Sequence, residues 1–238
     1  KKRILVNNIY GVDIDAQAVE VTKLSLLLKV LEEESGQLSL GLERALPDLG
    51  GNIQCGNSLI GWDYFDGQLI PDEAEVQRIN PFDWQRAFPN VFIRGGFDAV
   101  IGNPPYGAEF TVNDKAFIRN KFNSYKYKYE SYIYFIEKGI LLTKKDGYIS
   151  YITPELWLRL DIGTSLREFI SQNSSFEKIK IYGEDVFNQA VINTIVFIIV
   201  KNPLIGEFSI EDKDSSIRLS QNQFWKDIVF HHHCLLVH

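Results

Sequence analysis

Apolar strand patterns alternate with helical patterns along most of this chain. Strand patterns occupy residues 8–15, 52–60, 97–102, 146–153, 177–183 and 191–202, and helical patterns occupy residues 16–34, 129–142 and 162–172. Residues 61–95 form a long insertion that is interrupted by Pro and Gly and has little regularity. Strands separated by helices of this length are typical of a parallel sheet covered on both faces. The sequence therefore predicts an α/β fold with a mostly parallel sheet.

Composition is typical of a globular cytoplasmic protein. Hydrophobic residues make up 45% of the 238 residues, which is enough to form a sizeable core. The longest apolar runs, TIVFIIV and LSLLLKVL, are much shorter than the roughly 20 residues that a membrane helix needs. Two cysteines, Cys55 and Cys234, cannot form a disulfide framework, which favours a reducing compartment.

Polar side chains follow the first two strand patterns. In α/β sheets, ligands bind at the carboxyl ends of the strands. Asp13 and Asp15 come at the end of the first strand, and Asn57 and Ser58 form the polar turn after the second strand. Asp15 directly precedes a helical pattern, so helix capping explains it best. Asp13 has no such role, and a carboxylate at this point can accept hydrogen bonds from a ribose diol. The pattern predicts a nucleoside-like cofactor.

The strand FDAVIG runs directly into the residues Asn103, Pro104, Pro105 and Tyr106. The prolines lack backbone N–H groups, so the strand must end there, and Pro104 forces Asn103 into an extended conformation. The resulting rigid elbow lets the Asn103 amide oxygen and the Pro104 carbonyl act as adjacent acceptors beside the aromatic ring of Tyr106. These groups match the exocyclic amino group of a flat heterocycle. The alternative is a turn with a structural asparagine, since Asn-Pro commonly begins turns.

The net charge is −6, but one stretch of the chain is strongly cationic. Eight Lys and Arg residues between Lys115 and Lys145 face only Glu130 and Glu137, and tyrosines are interleaved with the lysines. Cations and aromatic rings in one stretch suit a phosphate backbone and unstacked bases. The alternative is a solvated loop and helix face.

The motif NPPY after FDAVIG resembles the catalytic motif of S-adenosylmethionine-dependent amino-methyltransferases. The order of the motifs is similar to that of the gamma class of DNA adenine-N6 methyltransferases. These occur in type II restriction-modification systems, where some are fused to a nuclease. Four further segments of the chain resemble other motifs of the family, and together they cover most of residues 9–201. These segments are IYGVDIDAQAVEVTKLSLLL, CGNSLIGWD, YESYIYFIEKGILLTKKDGYISYITPELWL and IYGEDVFNQAVINTIVFIIVK.

The resemblance implies a Rossmann-like S-adenosylmethionine-dependent methyltransferase fold, with a mostly parallel sheet that has an antiparallel strand near its C-terminal end. S-adenosyl-L-methionine would be the cofactor. Asp13 would bind its ribose hydroxyls, Ile14 would pack on its adenine, and Asn57 and Ser58 would contact the edge of that adenine.

The resemblance also implies that the partner is double-stranded DNA with a flipped adenine. Asn103 and Pro104 would hold the target amino group in an elbow that Pro105 keeps rigid. Tyr106 would stack on one face of the flipped base, and Phe187 would stack on the other. The lysine- and tyrosine-rich stretch itself predicts the contacts to the DNA backbone, at Lys121, Lys126 and Lys128.

The sequence departs from the family pattern at both ends. The glycine-rich loop that would precede Asn8, a strand in the middle of the sheet, and a target-recognition domain after Lys201 are not in the sequence. We expect a fragment, incomplete at its N-terminus, in which residues 1–203 form a partial catalytic domain and residues 204–238 a C-terminal extension. The strands at residues 8–13 and 97–102 should then not pair with each other. The sequence HHHCLLVH is predicted to be a tail, because contiguous histidines cannot easily surround one metal ion.

Three other functions remain open at this point. A methyltransferase acting on a protein glutamine or an RNA amino group could use the same elbow, because its substrate also has a planar nitrogen. A noncatalytic DNA-binding fragment is the second alternative. A nicotinamide dehydrogenase, the third, would share the fold class, but the sequence contains no G-x-G-x-x-G.

Overall fold

The computed structural model describes residues 2–31, 47–126, 129–183, 193–203, 206–213 and 215–225. The chain folds as two compact units, Lys1–Pro89 and Asn90–His238. The helices and strands of the first unit are α1 (Lys2–Asn8), β1 (Gly11–Asp13), α2 (Ala16–Leu31), β2 (Ile53–Cys55), a 3₁₀ helix (Trp62–Phe65), α3 (Glu73–Ile79) and α4 (Trp84–Ala87). Helix α5 (Pro89–Phe92) leads into the second unit. Within the described ranges, no helix is long and apolar enough to cross a membrane.

The first unit contains a small parallel sheet, in which β1 pairs with β2. Buried Leu5, Val19, Leu49 and Ile53 form the apolar cluster that holds α1 and α2 beside these strands. Helix α2 begins after Asp15, whose Oδ1 accepts a hydrogen bond from the Gln17 amide at 2.8 Å. The prediction that Asp15 caps this helix is therefore confirmed.

Residues 61–95 are more regular than predicted, because short helices occupy much of this stretch. The Asp72 side chain accepts a hydrogen bond from the Glu75 amide at the start of α3. The Asp83 side chain accepts from the amides of Gln85 and Arg86 at the start of α4. The capping aspartates are visible in the sequence, but the helices between them are too short to show a clear apolar period.

The second unit contains the larger sheet and most of the buried aromatic residues. Its elements are β3 (Phe97–Gly102), α6 (Val112–Lys121), α7 (Ser131–Leu142), β4 (Thr143–Pro154), α8 (Leu156–Arg159), a 3₁₀ helix (Asp161–Gly163), α9 (Thr164–Asn173), β5 (Ser175–Gly183), β6 (Thr194–Val200), β7 (Glu207–Glu211), β8 (Ser216–Ser220) and α10 (Gln221–Trp225). Strand β3 coincides with the predicted strand, whereas α6 was not predicted.

The six strands of this sheet lie in the order β3-β4-β6-β5-β7-β8. Pairs β3–β4 and β5–β7 are parallel, while β4–β6, β5–β6 and β7–β8 are antiparallel. The α/β class is confirmed, and antiparallel pairing occurs toward the C-terminal end as predicted, but the prediction of a mostly parallel sheet is wrong.

Short connections explain the mixed sheet. Only residues 184–193 separate β5 from β6, and only residues 212–215 separate β7 from β8. A parallel pair needs a crossover of about a dozen residues or more, whereas an antiparallel pair can be joined by a hairpin. Strand β6 lies between β4 and β5, so it contributes two antiparallel pairs. Among the described strands, β1 belongs to the two-stranded sheet and β3 to the six-stranded sheet, so β1 and β3 are not hydrogen-bonded to each other.

Candidate active site

The carboxylate of Asp13 lies exposed at the end of β1. Its Oδ1 accepts a hydrogen bond from the Asp15 amide at 2.8 Å, and its backbone carbonyl accepts from the Gly56 amide at 2.8 Å. No described residue donates to Oδ2. Asp13 therefore has a fixed orientation and one acceptor oxygen that is available to a ligand.

Ile14 follows Asp13 and leaves 57% of its surface exposed. Its backbone carbonyl accepts a hydrogen bond from the Cys55 Sγ at 3.5 Å, which ties it to the end of β2. An exposed apolar side chain next to an available carboxylate oxygen presents both an apolar surface and an acceptor to a nucleoside.

Asn57 and Ser58 hold the loop after β2 in place. The Asn57 Oδ1 accepts hydrogen bonds from the amides of Leu59 and Ile60, both at 3.0 Å. This oxygen is thus occupied, and only the Nδ2 group of Asn57 remains for a ligand. The Ser58 Oγ lies 3.5 Å from the carbonyl oxygen of Val12 in β1, at the upper limit for a hydrogen bond.

In the second unit, Asn103 is exposed directly after β3, and Pro104 is buried. Among the described residues, none donates a hydrogen bond to the Asn103 side chain or to the Pro104 carbonyl. Two acceptors at successive residues thus have no donor among the described residues, and their joint use by a ligand stays a prediction.

Ser131 anchors the elbow from the first turn of α7. Its side chain is fully buried, and its Oγ donates a hydrogen bond to the Pro105 carbonyl at 2.5 Å. The same Oγ accepts a longer hydrogen bond from the Ala108 amide at 3.4 Å. This contact is not predictable from the sequence, since a serine at the start of a helix is most simply explained as a local cap.

Tyr106 is held on the other side by β4. Its hydroxyl donates a hydrogen bond to the Ile152 carbonyl at 3.2 Å, and its ring meets the ring of Tyr132 edge to face at 6.1 Å. Burial raises the pKa of the Tyr106 phenol, so the hydroxyl stays protonated and donates at neutral pH. The ring is only half-buried, which leaves apolar surface for a ligand.

The stretch from Lys115 to Lys145, called the cationic segment from here on, begins on α6. The Lys115 Nζ lies 5.3 Å from the centre of the Tyr129 ring, and the Tyr129 hydroxyl donates to the Tyr125 hydroxyl at 3.3 Å. Lys121 is exposed at the end of α6, and Lys126 is half-buried. The Tyr125 and Tyr129 rings lie 5.4 Å apart, so two aromatic rings and the Lys115 ammonium lie close together in the described part of this segment.

Glu137, one of the two acids of this segment, and Asp114, directly before the segment, are buried, whereas Glu130 is half-buried. Asp114 is buried in the capping box that Thr111 forms at the start of α6. The Glu137 carboxylate, on α7, is fully buried. The surface of the segment is therefore more cationic than the sequence alone indicates.

Two predicted residues, Phe187 and Lys128, lie outside the described residues, and so does the histidine-rich tail. In the described part of the chain, no group of His, Cys, Asp or Glu is arranged to hold a metal ion.

A family model described as the Eco57I restriction-modification methylase matches residues 7–187. The chain belongs to this family. It is 33% identical over 210 residues to RM.Eco57I, a type II restriction enzyme and methyltransferase of Escherichia coli, covering 85% of this chain and 20% of that protein. It is 29% identical over 169 residues to M.HincII, a type II methyltransferase of Haemophilus influenzae, covering 68% of this chain and 32% of that protein. The chain thus spans about a fifth to a third of the length of these relatives.

A solved structure supports the fold. The ATP-dependent Type ISP restriction-modification enzyme LlaBIII, bound to DNA, superimposes with a TM-score of 0.57 over 95% of this chain and 16% of the larger protein. The sequence identity is only 12%, so this likeness shows the fold alone. The predicted resemblance to methyltransferases of restriction-modification systems is confirmed at the level of the family.

Proposed function

We propose that residues 1–203 form the methyltransferase domain, with a Rossmann-like fold, of a restriction-modification enzyme of the gamma class. The proposed reaction is methyl transfer from S-adenosylmethionine to N6 of a flipped adenine in double-stranded DNA. The observation that carries the proposal is the elbow after β3, where Asn103 and Pro104 keep two acceptors available. Ser131 and Tyr106 anchor this elbow on both sides.

The end of β1 fits S-adenosylmethionine. The Asp13 Oδ2 can accept hydrogen bonds from the ribose hydroxyls, and exposed Ile14 offers an apolar surface to the adenine. Since the Asn57 Oδ1 is occupied, Asn57 would meet the adenine edge as a donor through Nδ2, beside the Ser58 hydroxyl. When bound, the cofactor supplies an electrophilic methyl group on a sulfonium.

The elbow activates the target amine by hydrogen bonding. An aromatic amine is a weak nucleophile because its lone pair is delocalised into the ring. If Asn103 Oδ1 and the Pro104 carbonyl each accept one N–H, the nitrogen is favoured in a pyramidal form whose lone pair is available for bond formation. Fixed acceptors aimed at the positive charge that develops on the nitrogen can supply much of the acceleration.

The aromatic residues would stabilise the flipped base. Extrusion of a base from the duplex costs a few kcal/mol, and stacking on an aromatic ring contributes about 1–3 kcal/mol. The half-buried Tyr106 ring supplies one face, and we propose Phe187 for the other. Lys121, Lys126 and Lys128 would contact the DNA backbone beside this site.

The test is methyl transfer by the full-length protein that contains this chain. Labelled S-adenosylmethionine should transfer its methyl group to duplex DNA, and digestion of that DNA should release the label as N6-methyl-2′-deoxyadenosine. Label in protein glutamine, in RNA or in another base would contradict the proposal. Binding of DNA without any transfer would instead favour a noncatalytic DNA-binding function.

Asp13→Asn should raise the dissociation constant for S-adenosylmethionine about tenfold, because a charged acceptor binds a hydroxyl more strongly than a neutral one. Asn retains an acceptor for the Asp15 amide, so the loop should keep its conformation. Titration calorimetry on the full-length protein measures the change. Asp15→Asn is the matched control: it removes the same charge, and Asn caps a helix about as well as Asp. Equal losses of affinity in both variants would show that the effect comes from the negative charge near the site and not from a hydrogen bond to Asp13.

Phe187→Ala should weaken base flipping, whereas Phe187→Trp should largely preserve it, since any aromatic ring can stack on the base. The measurement is the fluorescence of 2-aminopurine at the target position of bound DNA, together with the methylation rate. If loss of the ring leaves both signals unchanged, Phe187 is structural and its proposed stacking role is wrong.

A further inference from the structure

Glu137 on α7 is a buried acid with an unusual set of partners. Its carboxylate accepts hydrogen bonds from the Asn123 amide at 3.0 Å, from the Asn123 Nδ2 at 3.0 Å and from the Ser124 amide at 2.7 Å. All three donors belong to one turn, directly after α6. Within the described ranges, no Lys or Arg side chain pairs with this carboxylate.

A fully buried carboxylate is costly to the fold unless hydrogen bonds replace its lost hydration. Here the Asn123–Ser124 turn provides that replacement, because hydrogen bonds to an ionised acceptor are short and strong. The turn is consequently fixed to the middle of α7, whereas a turn on the surface has many accessible conformations.

The turn separates two parts of the cationic segment. Helix α6 ends immediately before it, with Arg119 and Lys121 in its last turn. Tyr125 and Lys126 follow immediately after it, and Tyr125 in turn contacts Tyr129. The conformation of the turn therefore sets where the cations before it lie relative to the cation and the aromatic rings after it.

We propose that Glu137 is a positioning residue for DNA binding, which it supports by fixing the relative placement of Lys121 and Lys126. This inference rests on the proposed function, in which the cationic segment contacts the DNA backbone. A polyanion such as duplex DNA presents phosphates at regular intervals, so cations held at a fixed separation bind it with less loss of entropy than mobile ones.

The sign of the effect separates this role from simple electrostatics. Glu137→Gln removes a negative charge from a cationic segment, so electrostatics alone predicts tighter DNA binding. Gln also replaces one acceptor oxygen with an NH₂ group. This group faces an N–H donor of the turn, so one of the hydrogen bonds that hold the turn is lost. Positioning therefore predicts weaker binding in spite of the more favourable charge.

The experiment titrates fluorescent duplex DNA with the full-length protein at several salt concentrations. Glu137→Gln should raise the dissociation constant about tenfold and lower the slope of log K against log salt by about 1 for each phosphate that the variant no longer neutralises. Glu130→Gln is the matched control: it makes the same change in the N-cap residue of α7, whose side chain makes no capping hydrogen bond. It should bind DNA as tightly as the wild type, or more tightly.

Glu137→Asp keeps the charge but withdraws the carboxylate from the turn, and it tests the inference if Glu137→Gln does not fold. It should also weaken DNA binding. An affinity for S-adenosylmethionine and a thermal midpoint equal to those of the wild type would confirm that the variant is folded. DNA binding by a folded Glu137→Gln or Glu137→Asp variant at the level of Glu130→Gln would overturn the inference. Absence of DNA binding by the wild type would overturn the proposed function itself.

Discussion

Asn103→Ala should lower the rate of DNA methylation by about 10²–10³-fold in the full-length protein, which corresponds to roughly 2.7–4 kcal/mol of barrier. Asn103 is exposed at the end of β3, and no described residue donates to its side chain. The proposed target amine would be its hydrogen-bond partner. The loss should therefore fall on the chemical step, measured as single-turnover methylation of duplex DNA at saturating cofactor.

The affinity for S-adenosylmethionine provides the internal control, because Asn103 is proposed to contact the target and not the cofactor. Asn90→Ala removes another exposed asparagine of the second unit and should leave the methylation rate unchanged. Near-normal turnover of Asn103→Ala would rule out the proposed role of the elbow. A parallel loss of cofactor affinity would show that Asn103 also supports the cofactor site.

Gly163→Ala should destabilise the protein by about 3 kcal/mol or more, at the upper end of the usual cost of overpacking. A Cβ at Gly163 would lie 1.8 Å from the carbonyl oxygen of Trp157, which is far inside van der Waals contact. That carbonyl cannot retreat freely, since it accepts a hydrogen bond from the Arg167 Nη1 at 2.6 Å. Arg167 is itself fully buried, so displacing its partner has a further cost.

Urea unfolding, followed by fluorescence, measures this change. Gly206→Ala is the control in the same unit, because a Cβ there would meet no atom of the described residues within 4 Å. Equal midpoints for Gly163→Ala and Gly206→Ala would mean that the 3₁₀ helix after α8 accommodates the methyl group by a small shift.

Local signals in the sequence predict the elements around the candidate site well. Pro104 and Pro105 end β3 because they cannot extend a sheet, and the strand bounds agree with the prediction. Asp15 fixes the start of α2 through a side-chain cap. Helix α6 could have been predicted from Thr111 and Asp114, whose reciprocal hydrogen bonds form its capping box.

Properties that depend on non-local contacts were not predictable in this way. Strand direction in the larger sheet follows from which strands become neighbours, and the apolar pattern of β6 is the same in either direction. The inward orientation of Glu137 depends on donors 13 and 14 residues away in the chain. The anchoring of Pro105 by Ser131 likewise spans 26 residues, so neither role is visible in local spacing.

Helix α7 carries both anchors: Ser131 holds the elbow, and Glu137 holds the Asn123–Ser124 turn. Six residue steps separate them, which amounts to about 9 Å along the helix axis. Deleting one residue between them would rotate one anchor relative to the other by about 100° and shorten the separation by about 1.5 Å. The loops before α7 can vary in length without this effect. Evolution in this family should therefore preserve the helical phase between these two positions even where the loops that they hold have diverged.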